Sequence, residues 1–139
     1  MVEIDRPPEK VFDYATDASL WHTWHPATAS VSNVRAGPLA VGESVHEDIR
    51  VGPWKFAATW VVVESERPSH WAIETETPDG VSRIDYNVQP HGTGSRFTRV
   101  LAFRSKVYPW KALDTTLLRW MLTPQSRRAL DQLKRVTEA

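Results

Sequence analysis

Hydrophobic and polar positions change period twice along this chain, dividing it into a helical opening, a long β region and a helical close. Ile4-Asp5-Arg6 reads as a short strand that turns at Pro7-Pro8. Val11, Phe12, Ala15 and Ala18 then recur at spacings that bury one side of a helix, leaving Lys10, Asp13 and Asp17 to face water. Both prolines have φ already near the helical value and fall where the first helical N–H groups have no partner. Glu9 follows in the first turn, where the helix dipole favours a negative charge. The helix stops beside an aromatic segment, Trp21-His22-Thr23-Trp24-His25-Pro26.

After Pro26 the period becomes two and predicts strands over Ala29 to Arg35, Ser44 to Val51, Trp54 to Glu64, Trp71 to Thr77, Val81 to Gln89 and Ser95 to Arg104. Gly37-Pro38, Gly52-Pro53, Arg67-Pro68, Asp79-Gly80 and His91-Gly92-Thr93-Gly94 divide them, each supplying a residue suited to positive or fixed φ. Short connections between consecutive strands imply an antiparallel meander. The tail returns to helical spacing through Trp110, Leu113, Leu117, Trp120 and Met121, and again through Leu130, Leu133 and Val136. Pro124 removes one N–H and crowds the preceding turn, so this helix is expected in two parts, its apolar stripe laid on the sheet.

The order of elements, the opening Ile4 to Tyr14 with Asp17 and Trp21 to Pro26, and the tail Pro124 to Glu138 resemble the START-like superfamily, also called SRPBCC or helix-grip proteins. Within it the chain is most similar to the polyketide cyclase/dehydrase-like group. The resemblance covers nearly the whole chain, although only Met1 to Asp5 precede the helix where family members usually carry a longer first strand. It implies an α+β helix-grip fold: a curved antiparallel sheet of six to seven strands wrapped around a long C-terminal helix, with one or two short helices after the first strand. Residues 1–139 are expected to form a single domain of this kind. Between sheet and helix, such a fold encloses a cavity.

Residues two apart share a face of a half-buried strand, so parity proposes the inward set. Trp54, Phe56, Ala58, Trp60 and Val62 form one row; Trp71, Ile73 and Thr75 another; Ile84, Tyr86 and Val88 a third; Phe97, Arg99, Leu101 and Phe103 a fourth; Val45, Glu47 and Ile49 a fifth. The expected ligand-binding walls are Trp54, Phe56, Trp60, Trp71, Ile73, Phe97 and Leu101, with Trp110, Leu113, Leu117 and Trp120 on the lid side. Any one tryptophan would serve an ordinary core equally well. Glu47 and Arg99 interrupt apolar faces, and a buried unpaired charge costs several kcal/mol. If both point inward, they should pair with each other, with Tyr86 or with a polar group of a ligand. Arg83 and Asp85 fall on the opposite face as solvent-side partners, as does His46 with Ser44, Asp48 and Arg50.

Charge and composition narrow the functions. Seventeen basic residues balance seventeen acidic ones, so no long-range positive field attracts nucleic acid or an anionic membrane. The basic strip Arg127-Arg128 with Lys134-Arg135 reads as the solvated face of a helix. With no cysteine, disulfides, thiolate zinc sites and a cysteine nucleophile are excluded. No signal peptide or membrane span is expected, and the chain reads as cytoplasmic. His22 and His25 lack the glutamate and spacing of a helical zinc site, so no metal and no cofactor are expected; a place at the mouth of the cavity, or as a helix cap, suits them better. His91-Gly92-Thr93-Gly94 lies between strands and is a hairpin turn, whereas phosphate loops open into helices.

The leading expectation is binding of a hydrophobic or aromatic small molecule, lipid included, oriented by Glu47, Tyr86 and Arg99. The alternative is an aromatase/cyclase or dehydratase acting on a polyketide-like carbonyl compound, with the same three residues as catalytic candidates. A third reading is a regulatory or co-chaperone-like module that docks a partner through an exposed Trp21 to His25 segment. A short first strand or a tryptophan patch also leaves room for a homodimer.

Overall fold

Pro7 is the N-cap of the first helix and Pro8 its first residue, so the double proline starts α1 (Pro8–Ala15) where its missing N–H groups cost nothing. The computed structural model describes residues 1–78, 80–105 and 127–139. Val11, Phe12 and Ala15 form the buried stripe of α1, as their spacing requires. Thr16 closes the helix by donating its hydroxyl to the Phe12 carbonyl at 2.8 Å. A 3-10 helix follows over Ala18–Thr23.

Asp17 does not face water, as helical spacing had suggested. It lies outside α1 as the N-cap of the 3-10 helix, 9% exposed, and accepts from the backbone N–H of Ser19 at 3.0 Å and of Gly37 at 2.9 Å. Trp21 and Trp24 are likewise buried, at 3% and 1%, so the aromatic segment is core and offers no tryptophan surface for a partner. Both follow from the 3-10 helix turning back onto the sheet rather than ending in solvent.

The strands are β1 (Val2–Ile4), β2 (Thr28–Ser32), β3 (Ser44–Val51), β4 (Trp54–Glu66), β5 (His70–Thr77), β6 (Gly80–His91) and β7 (Gly94–Ser105), and residues 127–138 form α2. Among the described residues they make one seven-stranded sheet in the order β1-β7-β6-β5-β4-β3-β2. Every neighbouring pair is antiparallel, so the expected meander holds, with β1 closing beside β7. β2 stops at Ser32, short of the expected Arg35, because Asn33 turns the chain at a φ of 55°. Gly52 and Gly92 occupy the first position of two-residue hairpin turns, with φ of 59° and 60° that a side chain would oppose. At Gly94 the constraint is space: an added Cβ would collide with the Ile4 carbonyl of β1, so only glycine lets β1 lie this close.

α1 packs on β6 and β7, and α2 adds Ala129, Leu130 and Leu133 to the same buried cluster. α2 is also tied to the first strand, because Lys134 Nζ donates to the Glu3 carbonyl at 2.9 Å and the Asp5 N–H donates to Glu138 Oε2 at 2.8 Å. The expected lid residues Trp110, Leu113, Leu117 and Trp120, and the expected break at Pro124, lie outside the described residues. Among the described residues no helix is long and apolar enough to cross a membrane.

Candidate functional site

Each inward row of the sheet is divided in two. At one end Val45, Val62, Trp71, Ile73, Tyr86, Val88 and Phe97 sit under the helices in the hydrophobic core. At the other end the same rows border an open cavity of about 250 Å³. There β3 contributes Glu47, Ile49 and Val51; β4 contributes Phe56, Ala58 and Trp60; β5 contributes Thr75 and Thr77; β6 contributes Ser82 and Ile84; β7 contributes Arg99 and Leu101. The register explains the grouping: Trp60 lies opposite Val45, Ala58 opposite Glu47, and Phe56 opposite Ile49. Small residues face large ones, and the hollow remains.

Of the residues expected to bind a ligand, Phe56, Trp60, Arg99 and Leu101 are brought together on this cavity, with Glu47 beside them. Trp71, Ile73, Tyr86 and Phe97 lie on the inward face as expected but are packed in the core, each 2% exposed or less. Trp54 follows the Gly52 turn as the last paired residue of the β3–β4 hairpin and is 55% exposed, outside the cavity wall.

Glu47 and Arg99 both reach the cavity, and each is hydrogen-bonded to other side chains. The Glu47 carboxylate is buried and accepts from Trp60 Nε1 at 2.9 Å and from the Thr28 hydroxyl. Burial pushes its pKa above the usual carboxylate range, against the opposing pull of those two donors and of the Arg99 charge. A carboxyl with a raised folded pKa contributes stability that is complete below the ordinary value of about 4.3 and is lost as pH rises through the folded pKa. Glu47→Gln removes that proton. Relative to the variant, the wild type is therefore expected to lose stability above about pH 4.3, with a limiting slope of about 1.4 kcal/mol per pH unit, and then level off. Urea midpoints across pH would check this, and a difference independent of pH would contradict it.

Arg99 Nη2 donates to His25 Nε2 at 3.1 Å. Burial, reinforced by the adjacent guanidinium, pushes the His25 imidazole down to about 3, so the ring is neutral and carries its proton on Nδ1. Tyr86 is the cross-strand partner of Arg99 and is hydrogen-bonded to its guanidinium, one of the pairings expected for a charge on this face. Burial pushes its phenol up to about 12, with Arg99 pulling the other way, so it stays protonated. His25 was expected at the mouth of the cavity or as a helix cap, though not among the binding residues, and it lines the cavity. Its place at the cavity depends on the turn after the 3-10 helix, which no periodicity reveals.

The opposite face carries a separate ion network. Arg83 donates to Asp85 at 2.9 Å and pairs with Glu64 at 3.0 Å and Glu74 at 3.2 Å, while His70 stands between Glu64 and Asp85. Glu64, His70 and Asp85 are close enough to share a cation, but the guanidinium already satisfies both carboxylates. Arg83, Asp85, His70 and Glu74 are half-buried rather than fully solvent-facing, and Glu64 is exposed.

A curved antiparallel sheet, helices covering one half of its concave face and a cavity on the other define a helix-grip protein. Solved structures share this fold. They include the protein TTHA0849 from Thermus thermophilus, with a TM-score of 0.74 at 14% identity, over 98% of this chain and 92% of that one. Protein Ms6760 from Mycobacterium smegmatis gives a TM-score of 0.70 at 20% identity, over 97% and 86%. BexL, a di-domain aromatase/cyclase of the BE-7585A biosynthetic pathway, gives 0.76 at 18% identity, over 99% of this chain and 48% of its own. No curated protein sequence matches this chain. The family model described as polyketide cyclase / dehydrase and lipid transport matches residues 1–138, and the chain belongs to that family.

Proposed function

We propose that the chain, acting as one domain over residues 1–139, binds a hydrophobic or aromatic small molecule on the open half of the concave sheet face. The observation that carries this reading is the division of the inward rows into a packed half and a hollow half lined by Phe56, Ala58 and Leu101, with the buried Trp60 and Ile84 forming the boundary between them. The volume of about 250 Å³ lies just below the usual range of ligand sites, which starts at about 300 Å³, and suits a compact ring system or a short acyl chain. Polar groups are few and sit on the same cavity: Arg99, backed by neutral His25, offers N–H donors to a ligand oxygen, and Glu47 is held by Trp60 and Thr28. Membership of a family that includes lipid transport supports the same class of ligand.

Titration with fatty acids, flavonoids and polyketide-like phenols, read by tryptophan fluorescence, tests this directly. Saturable quenching that is reduced in Trp60→Phe is expected. Absence of quenching across the panel would overturn the reading and favour a partner-binding module.

A cyclase or dehydratase is the second reading, favoured by the family and by a carboxyl of raised pKa on the same cavity as a guanidinium. Ionised Glu47 would take the proton from the carbon beside a ketone, leaving the electron pair on an enolate oxygen held by Arg99. Return of that proton to a departing β-hydroxyl would release water. Turnover of a β-hydroxy ketone, lost in both Glu47→Gln and Arg99→Met, would select the enzyme; saturable binding without turnover would select the carrier.

A further inference from the structure

The inward faces of β5 and β6 change character over three successive cross-strand pairs. Trp71 lies opposite Tyr86, Ile73 opposite Ile84, and Thr75 opposite Ser82. The first pair is packed in the core, the second joins the core to the cavity that Ile84 borders, and the third lines the cavity with both its members. An aromatic pair and an aliphatic pair are thus followed, where the packing stops, by two hydroxyls.

The fold itself makes no use of these hydroxyls. Opposed Thr and Ser side chains on a sheet can bond each other, and a buried hydroxyl left without a partner is costly. Thr75 is 7% exposed, yet its hydroxyl has no hydrogen-bond partner among the described residues, and the same holds for the half-buried Ser82. Neither oxygen is one of the unpartnered polar atoms closed off from solvent, so each remains reachable from the cavity it borders. Thr77, the next inward residue of β5, differs: its hydroxyl donates to the Gly80 carbonyl and accepts from the Gly80 N–H, both at 3.2 Å, and so serves the turn.

We propose that Thr75 and Ser82 form a polar subsite that selects, among apolar ring compounds of one shape, the one carrying an uncharged hydroxyl. The inference rests on the reading that this cavity binds a small apolar molecule. Directly opposed side chains have Cβ atoms about 5 Å apart, so a single ligand oxygen reaches both hydroxyls. A Ser or Thr hydroxyl both donates and accepts, and the pair can therefore receive the O–H of an alcohol or phenol while donating to its oxygen. A hydrocarbon of the same shape would seal both hydroxyls away from water without a partner, and that loss sets the discrimination. Phe56, Ala58 and Leu101 on the same cavity are apolar and hold the ring.

Calorimetric titration of the intact chain with 4-ethylphenol and 4-ethyltoluene, which differ only in OH against CH3, tests the subsite. The double variant Thr75→Val with Ser82→Ala is expected to lower the ratio of phenol to hydrocarbon affinity about tenfold, and Thr75→Val alone about threefold. The urea midpoint should stay unchanged or rise, because no bond of the fold is lost. Thr75→Ser, which keeps the hydroxyl, is expected to retain the wild-type ratio. An unchanged ratio in the double variant, with both compounds still bound, overturns the subsite and leaves the apolar-ligand reading standing. A ratio that falls as far in Thr75→Ser as in Thr75→Val assigns the effect to packing and also overturns the subsite. Failure of both compounds to bind the wild type overturns the subsite together with the reading it rests on.

Discussion

Trp71→Ala is expected to cost about 3–5 kcal/mol of folding stability, among the largest effects of any single truncation in the described core. Trp71 is fully buried and stacks on Tyr86 with ring centroids 5.1 Å apart and planes 29° from parallel. It meets Trp21 edge-on at 6.3 Å. Its indole N–H also donates to the Leu39 carbonyl at 3.0 Å, fastening the connection between β2 and β3 to the sheet. Leu39 continues that connection by donating its own N–H to the Thr16 carbonyl. Truncation therefore removes a large apolar surface and a buried hydrogen bond together. Trp71→Phe separates them: it keeps most of the stacking and is expected to cost about 1–3 kcal/mol for the carbonyl left unsatisfied. Urea unfolding would read both, as midpoint shifts at unchanged slope. A cost below about 1 kcal/mol for the alanine variant would contradict the assignment of Trp71 to the core.

The second large effect is on binding. Ala58 borders the cavity from the middle of β4, opposite Glu47 and between Phe56 and Trp60 on the same face. Ala58→Phe would place a ring in the hollow, where it fills open space instead of displacing packed atoms. Stability is expected to change by no more than about 1 kcal/mol, while affinity for an apolar ligand falls about a hundredfold or more, close to 3 kcal/mol. Equilibrium unfolding and fluorescence titration of the same preparation would check the two halves. A variant that binds as tightly as the wild type would move the ligand elsewhere. This behaviour is opposite to that of Trp71, although the sequence presents both as inward positions of β-strands.

That contrast shows why the fold was more legible than the site. Alternation along β3 to β7 reported which side chains point inward, because side-chain direction in a strand is local. Phe97 and Leu101 have the same parity on β7, yet one is core and the other borders the cavity. The difference is where α1, the 3-10 helix and α2 lie across the concave face, a long-range property that parity does not carry. Asp17 failed for a related reason: its spacing fits the helix that precedes it, but its carboxylate caps the one that follows. Glu47 and Arg99 could be singled out as charges on apolar faces. Their partners, Thr28 and Trp60 for one and His25 with Tyr86 for the other, depend in part on how the turn before β2 meets the sheet.

The most direct test of the ligand cavity is methyl NMR of the intact protein titrated with a compact aromatic ligand that quenches its fluorescence. Saturable shifts are expected at the methyl groups of Ala58, Thr75, Ile84 and Leu101, which border the hollow half, with little change at Val11, Val88 or Leu133 in the packed half. Shifts centred on the packed half, or scattered over the surface without saturation, would contradict it.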